Sequence, residues 1–504
     1  MTASKNPPRN GEGDQVKLGG GAALRTTDLA RGARPLRQPS AATSPFRGGF
    51  LALAFALLAT SPLAAQTIAI TGGTVALGDG SDPIVGGTVV IQNGKILSAG
   101  VGVPIPRGAE IVDGRGKWIT PGIIGGFSRL GLSEVDLSAD GTTDDRAPGG
   151  PFSAAIDVAP AVNPMSSTIS VNRADGVTRA IVAPNTARSI FAGQGAVIDL
   201  GADRDPITSA RRFQFVELGE SGAATAGGSR ASAHLLFRNA LREAAELGRY
   251  STRGSSSTAQ ADDPVVRDPN ESRMTGPSAS RSDDVLLTRF DAAALVPVLR
   301  GQQYLLVHVE QANDILQAIA LKRSFPQLKM VLVGVTEGWT VADRIAASGI
   351  PVIASAVNDL PASFEQLAAT QSNIGRMRAA GVKVAIGMID DNDSRYLFNQ
   401  RQYAGNLVAL GKVPGASGVS WGEALSMITS KPAEVIGLGA SLGSLARGRQ
   451  GDVVIWSGDP LEMASEAQMV WIDGVRQPIE SRQTKLRDRY QNLDRGALPE
   501  AYRR

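Results

Sequence analysis

The order of segments along the chain limits its fold more than any other feature. Short β-type runs separated by glycine-rich turns fill residues 67–120 and return at residues 452–472. Between these two blocks, apolar β-type runs alternate with helical patterns. Such alternation predicts parallel strands joined by right-handed crossovers, and hence a barrel or a doubly wound sheet. The end blocks together predict one small β domain built from both ends of the chain.

Two dipeptides support strand pairing within the end blocks. Asn93-Gly94 follows the β-type run Thr88–Gln92, and Asp473-Gly474 follows Met469–Ile472. Asn-Gly and Asp-Gly readily adopt the positive φ angles of a two-residue hairpin turn. The sequence therefore predicts a hairpin turn at each of these positions.

The middle region contains the alternating segments. Its predicted strands are Val177–Ala183, Ala196–Leu200, Tyr304–Val309, Met330–Val335, Pro351–Ala354 and Val382–Gly387. Its predicted helices are Ala231–Glu246, Asn313–Arg323, Val341–Ser348 and Phe364–Gly381. Residues 201–230 and 251–284 are predicted to interrupt this series, the second as a long loop. Near the C-terminus, Lys485–Tyr490 predicts a short polar helix.

An apolar run near the N-terminus predicts export. Phe50–Ala59 is preceded by Arg47 and followed by small residues that end at Ala65, which is typical of a secretory signal peptide. The run is shorter than the roughly 20 residues that cross a bilayer. We therefore expect cleavage near Ala65, a periplasmic or secreted protein, and no stable membrane span. The alternatives are a buried core helix and a membrane anchor.

The charge distribution does not favour nucleic acid as a partner. The chain has a net charge of +3, but residues 1–65 hold eight Lys/Arg and three Asp/Glu, so the remainder carries −2. After processing, the protein would lack the basic surface that nucleic acid requires. The chain has no cysteine and only two histidines, which excludes disulfides and thiolate metal ligands.

Three stretches of the sequence carry a family resemblance. They are Ile119-Thr120-Pro121-Gly122-Ile123-Ile124, the segment from Ala424 to Gly437 around Lys431-Pro432-Ala433, and the segment from Gly443 to Leu461 around Gly451-Asp452-Val453-Val454-Ile455-Trp456. Together they resemble the amidohydrolase superfamily, most closely its imidazolonepropionase-like and peptidase-like branch. The resemblance covers about residues 67–480. It implies a TIM-like (β/α)8 barrel plus a small β-sandwich domain built from both chain ends.

The signal-peptide pattern and the resemblance together divide the chain into regions. Residues 1–65 are expected to form a disordered leader and signal peptide, and residues 121–436 the amidohydrolase-like barrel. Residues 66–120 and 437–480 are expected to form the composite β domain, and residues 481–504 a C-terminal tail.

The resemblance further implies one or two divalent metal ions, often zinc, at the C-terminal mouth of the barrel. There they activate a water molecule for hydrolysis of a C–N bond, while a carboxylate acts as general base. The family pattern is a His-x-His pair after the Pro-Gly step, two later histidines and an aspartate after the last strand.

This sequence departs from the family pattern at three positions. Phe127 and Arg129 stand where the His-x-His pair is expected, and Gly334 stands where a later histidine is expected. A phenyl ring cannot bind a metal, and a guanidinium stays protonated and repels a cation. We therefore expect zinc or another divalent metal to bind weakly or not at all.

Four residues remain as candidates for the site. His308 and Asp390 (or Asp391) match family ligand positions, so both are candidate metal ligands, and Asp390 is also a candidate catalytic carboxylate. Glu310 is a candidate substrate-binding residue or a base beside His308. The structural alternatives are a hydrogen-bonded strand-end histidine, a helix-capping aspartate and a solvated glutamate. Arg129 is a candidate substrate-binding residue for an anionic group, or a structural partner of Asp390.

These observations leave three functions open, because a fold does not fix a function. The first is a hydrolase of C–N bonds that acts on small cyclic or peptide-like amides. The second is a non-catalytic relative that binds a small molecule, or that pairs as a homo-oligomer or with an active paralogue. The third is a metal-independent enzyme built around Arg129 and the Asp390 region. The other histidine, His234, falls within a predicted helix and is expected to be a packed or surface residue.

Overall fold

The computed structural model describes residues 67–133, 143–253, 285–389, 396–480 and 482–491. The chain separates into two compact units, residues 1–60 and 61–504, and all described residues belong to the second unit. The predicted signal peptide and the candidate Asp390 lie outside the described residues. Both stay predictions.

The described residues form two eight-stranded sheets. The strands of the first part are β1 (Thr67–Val75), β2 (Ile84–Gln92), β3 (Lys95–Gly100), β4 (Glu110–Asp113) and β5 (Trp118–Pro121). Those of the middle part are β6 (Ile123–Ser128), β7 (Val177–Val182), β8 (Phe191–Asp199), β9 (Ile207–Glu217), β10 (Tyr304–Val309), β11 (Lys329–Gly334), β12 (Val352–Ala354) and β13 (Val384–Ile386). The last strands are β14 (Val453–Trp456), β15 (Ala467–Ile472) and β16 (Val475–Arg476).

One sheet contains strands from both ends of the chain. Its order is β16-β15-β14-β5-β1-β2-β3, with β4 paired to β1. The ends meet where β5 and β14 run antiparallel, with Thr120 opposite Val454. Turns at the two predicted dipeptides join β2 to β3 and β15 to β16, and Asn93 and Asp473 adopt φ angles of 54° and 50°. The β domain assembled from both ends is therefore confirmed.

The other sheet is the barrel, with the order β6 to β13. It nearly closes where the Met388 N–H donates to the Phe127 carbonyl at 3.1 Å. At this seam Gly126 lies so close to β13 that a β-carbon would stand 1.9 Å from the Ile386 carbonyl oxygen. The α/β barrel with a second sheet of terminal strands agrees with the predicted fold class.

Alternation along the barrel strands fills its interior. Phe127, Ile181, Phe213, Phe215 and Leu306 belong to one buried apolar cluster inside the sheet. Because successive side chains of a strand point to opposite faces, a residue two positions further on continues the same inner face. The residues two positions further along these strands therefore face the barrel mouth.

Helices cover the outside of the barrel. They are α1 (Ser167–Ala174), α2 (Glu220–Thr225), α3 (Arg230–Arg253), α4 (Arg289–Leu299), α5 (Ala312–Ser324), α6 (Ala342–Ser348), α7 (Asn373–Ala379), α8 (Gln400–Leu410), α9 (Trp421–Met427) and α10 (Ser430–Val435). A further helix, α11 (Arg482–Gln491), confirms the predicted polar helix near the C-terminus. The predicted helices of α5 and α6 are found within one residue of their expected bounds, whereas α3 starts one residue before its expected start and continues to Arg253.

The prediction that residues 201–230 interrupt the series was wrong, since they contain β9 and α2. The prediction of parallel strands also fails at one position, because β8 runs antiparallel to β7 and β9. The connections at residues 183–190 and 200–206 are shorter than the dozen or more residues that a parallel crossover needs. Three strands therefore form a meander within an otherwise parallel barrel.

The predicted helix Phe364–Gly381 was also wrong in its first half. Only a single 3-10 turn, Phe364–Gln366, precedes α7. The Ala368 N–H donates to the Glu337 carboxylate at 3.0 Å, and the Glu365 carboxylate accepts the Glu220 N–H at 2.7 Å. These tertiary hydrogen bonds take the place of a continuous helical ladder.

A buried ionic group joins the barrel to the composite sheet at the end opposite the mouth. The Arg179 guanidinium on β7 donates to Asp452 at 2.6 Å, to Asp473 at 2.6 Å and to the Thr208 hydroxyl at 2.7 Å. The Arg179 side chain is 2% exposed. We call Arg179, Asp452 and Asp473 the junction cluster.

No helix among the residues that the structure describes combines the length and the apolar character that a membrane span requires.

Candidate functional site

Three barrel strands bring ionisable side chains to the mouth. Glu217 lies two residues after Phe215 on β9, and His308 lies two residues after Leu306 on β10. Each therefore lies on the inner face of its strand. Glu310 lies just beyond the end of β10. We call Glu217, His308 and Glu310 the mouth triad, because His308 contacts both glutamates.

The imidazole of His308 lies between the two carboxylates of the triad. Its Nδ1 is 2.6 Å from Oε2 of Glu217, and its Nε2 is 3.0 Å from Oε1 of Glu310. The glutamate side chains are 7% and 5% exposed, and that of His308 is 16% exposed. Burial by itself lowers the pKa of His308, but the charges and hydrogen bonds of Glu217 and Glu310 outweigh it and raise that pKa well above its usual value. The two carboxylates therefore favour the protonated form of His308.

The backbone around Gly334 accommodates the triad. Gly334 has a φ of +90°, and a β-carbon there would stand 2.4 Å from Oε1 of Glu310 and 2.9 Å from Cδ2 of His308. The other oxygen of Glu310 accepts the Thr336 N–H at 2.8 Å. The Glu310 carboxylate thus fills the space that a side chain at position 334 would need.

On the other side of the mouth, Arg129 lies two residues after Phe127 and just beyond the end of β6. Its Nε lies 3.8 Å from Oδ2 of Asp145, and its guanidinium carbon is 5.8 Å from the centre of the Phe127 ring. Phe127 packs inside the barrel against Phe215, with ring centres 5.2 Å apart. Arg129 and Asp145 are both buried, at 8% exposure each. The position of the family's His-x-His pair therefore carries an aromatic ring and an ion pair.

These contacts test whether the mouth suits a divalent metal ion. Both nitrogens of His308 face carboxylates, and these carboxylates favour the protonated imidazole, which has no lone pair for a cation. Phe127 and Arg129 supply no ligand, and Gly334 has no side chain. Among the residues that the structure describes, no group of three or more His, Cys, Asp or Glu side chains is arranged to hold a metal ion. Phe127, Arg129 and Gly334 thus leave three positions of the family's ligand pattern without a ligand.

The structure brings some of the predicted site residues together at the mouth and places others elsewhere. His308 and Glu310 are brought together, and Arg129 lies at the same mouth with Asp145 as its carboxylate partner. The interpretation of Glu310 as a solvated charge was wrong, because the residue is 4% exposed. His234 lies on α3 and is half-buried, and burial lowers its pKa. Asp390 and Asp391 lie outside the described residues.

Sequence reasoning missed Glu217 and Asp145. The alternation Phe213, Phe215, Glu217 signals an inner strand face that ends in a carboxylate. No comparable signal exists for Asp145, which lies in a loop between β6 and α1.

The geometry defines a class of protein: an α/β barrel with a composite terminal sheet and ionisable residues at the carboxyl ends of its strands. Residues 329–476 match the model of the amidohydrolase family. A curated relative, amidohydrolase tasK of Hapsidospora irregularis, is 24% identical over 392 residues, which are 74% of this chain and 38% of that protein. The chain thus spans about two fifths of the length of this relative.

A solved structure shows the same fold. The amidohydrolase of Thermotoga maritima MSB8 superposes with a TM-score of 0.66 at 23% identity, covering 81% of this chain and 99% of that one. The family-model match, the curated relative and the shared fold together support the resemblance to the amidohydrolase superfamily.

Proposed function

We propose that this chain is an exported amidohydrolase-superfamily protein that binds a small molecule at its barrel mouth without a metal-activated water. One observation carries the proposal: carboxylates occupy both nitrogens of His308, and one of them fills the space beside Gly334. Metal-dependent hydrolysis would require these groups to separate and ligands to replace Phe127 and Arg129. Binding requires neither change.

Metal analysis of the full chain tests the proposal directly. After purification and incubation with zinc, followed by gel filtration, we expect well below one zinc per chain. Zinc sites normally need three or four protein ligands, which is why we expect so little zinc. About one zinc per chain, lost on His308→Ala but kept in His234→Ala, would overturn the proposal. His234→Ala is a matched control because it removes the other histidine of the chain.

An activity assay separates binding from the hydrolase alternative. The full chain is incubated with amino-acid p-nitroanilides and with small cyclic amides, with and without EDTA. We expect no turnover in either condition. Turnover that EDTA abolishes would support a metal-dependent hydrolase, while turnover that resists EDTA and falls in Arg129→Gln would support a metal-independent enzyme. Either form of turnover contradicts the proposal.

The export part of the proposal has its own test. In a Gram-negative host, we expect the mature protein in the periplasm with Gln66 as its first residue, as N-terminal sequencing would show. Leu53→Arg places a charge within the apolar run and is expected to retain the chain in the cytoplasm. An uncleaved cytoplasmic wild-type chain would contradict export without affecting the metal result.

A further inference from the structure

A cavity beside the barrel mouth carries a more specific inference. It measures about 380 Å³, which is within the size range of small-molecule sites. Its walls come from the β7–β8 connection, the segment 147–156, one face of α3 and the segment 286–291. Asn185 connects it to the mouth, since its N–H donates to the Asp145 carbonyl at 2.7 Å and Asp145 pairs with Arg129.

Two buried carboxylates fix the cavity walls. Asp291, 2% exposed, accepts hydrogen bonds from the Ser153 N–H at 2.9 Å, the Ala155 N–H at 2.8 Å and the Thr288 hydroxyl at 2.7 Å. Glu243, 1% exposed, accepts the Leu286 N–H at 2.8 Å. A site whose walls are already held in place loses less entropy when a ligand binds.

Apolar side chains form somewhat more than half of the cavity lining. Phe152, Ile156, Ile190, Phe191 and Leu236 all contribute to it. Phe152 remains 43% exposed, so an apolar side chain stands uncovered at the cavity. Exposed apolar surface around a cleft is typical of ligand-binding grooves. This lining suits an aromatic or alicyclic body.

The described lining of the cavity contains one cationic and one anionic residue. Of the described residues that line it, only Arg188 and Asp291 are charged, and Asp291 already accepts three hydrogen bonds. Arg188 is exposed, and its guanidinium forms no ion pair with a described residue. A guanidinium presents a planar set of donors that matches a carboxylate.

We propose that this cavity binds a small aromatic or alicyclic carboxylate, with the apolar body among the phenylalanines and leucines and the carboxylate on Arg188. The inference rests on the proposed function, because it names the ligand class for a protein that binds without a metal ion. It places the ligand beside the family's metal position rather than on it.

Titration calorimetry with the full chain in EDTA buffer tests this inference, with 2-naphthoate and its neutral isostere 2-naphthamide as probes. We expect 2-naphthoate to bind about tenfold more tightly than 2-naphthamide. Arg188→Gln is expected to remove that tenfold preference and leave 2-naphthamide binding unchanged. Arg204→Gln, an exposed arginine in the β8–β9 connection, is the matched control and should bind both probes as wild type does.

Cavity-filling variants locate the site. Ala240→Phe places a ring inside the cavity and is expected to abolish binding of both probes, and Leu236→Trp does the same from a half-buried position that tolerates bulk better. Thermal melting identifies a variant that has unfolded. The inference is overturned if wild type binds neither probe at millimolar concentration, if both probes bind equally, or if binding survives in both filled variants. A chain that binds zinc would overturn the proposed function alone, because every probe titration contains EDTA.

Discussion

The mouth triad and the junction cluster have the same plan at opposite ends of the barrel: one buried cation between two carboxylates. In the junction cluster the cation is Arg179, whose charge persists at every pH that proteins tolerate. In the mouth triad the central residue is His308, a titratable imidazole whose protonated form Glu217 and Glu310 favour. The same arrangement is therefore permanent where it joins two sheets and reversible where it faces the mouth.

This difference is expected to appear in the pH dependence of stability. The raised pKa of His308 means that the triad's contribution is complete below the unfolded-state pKa of about 6.5 and is lost as pH rises through the folded-state pKa. The junction cluster has no corresponding loss, because the pKa of Arg179 is raised still further above its already high ordinary value.

The largest expected effect comes from removing the permanent cation. Arg179→Ala leaves Asp452 buried and without its partner, and we expect the free energy of unfolding to fall by about 4 kcal/mol. Arg115→Ala is the matched control, because Arg115 makes a similar contact with Asp113 while 81% exposed, and its cost should be far smaller. Urea denaturation measures both, and equal costs would contradict a structural role for the junction cluster.

Removing the reversible cation should cost less. His308→Gln is expected to lower the free energy of unfolding by about 2 kcal/mol at pH 6, because an amide still donates one hydrogen bond to the triad. The cost should shrink as pH rises through the folded-state pKa of His308, whereas that of Arg179→Ala should not. Urea denaturation at several pH values checks this, and a cost independent of pH would mean that His308 is neutral.

A spectroscopic titration sharpens the comparison without removing the cation. The chain has two histidines, so its imidazole C–H signals in the NMR spectrum can be assigned with one variant, His234→Gln. We expect the His234 signal to titrate below pH 6.5 and the His308 signal well above it. Glu217→Gln removes one carboxylate and should lower the pKa of His308. A His308 signal that titrates near pH 6.5 in wild type would contradict the triad.

The smallest expected effect is next to the junction cluster. Asp199 on β8 lies opposite Arg179 of the neighbouring strand β7. Burial raises the pKa of Asp199 to about 6. The folded state then binds more protons than the unfolded state between about pH 4 and 6, so the free energy of unfolding falls as pH rises through that window. Asp199→Asn keeps the hydrogen bond from the Gly201 N–H and should stabilise the protein at pH 8 by less than about 1 kcal/mol, since the side chain is partly exposed. Thermal melting at pH 4 and pH 8 checks the sign.

How far the sequence predicts this molecule depends on the range of the interactions involved. Periodicity and turn dipeptides predicted β10 to its bounds and both hairpin turns, because these depend on neighbouring residues. Strand β9 was missed because Arg211 and Arg212 interrupt its apolar pattern before Phe213 begins the buried half. Glu217 was missed with it.

The candidate site divides in the same way. Phe127, Arg129 and Gly334 could be recognised as departures because their positions follow from the family pattern. Which groups take over the vacated space could not be predicted, since Asp145 approaches Arg129 from a loop and Glu310 occupies the room left at Gly334. Such contacts depend on packing between distant segments rather than on local patterns.

The pairing of β5 with β14 also bears on how the protein is made. Thr120 and Val454 are neighbours in the sheet but are separated by most of the barrel in the sequence. At a synthesis rate of roughly 5–20 residues per second, Thr120 leaves the ribosome on the order of half a minute before its partner is made. During that interval one edge of β5 lacks its partner strand. Circular permutation that joins the two end blocks would shorten the delay and should reduce aggregation of the newly synthesised chain.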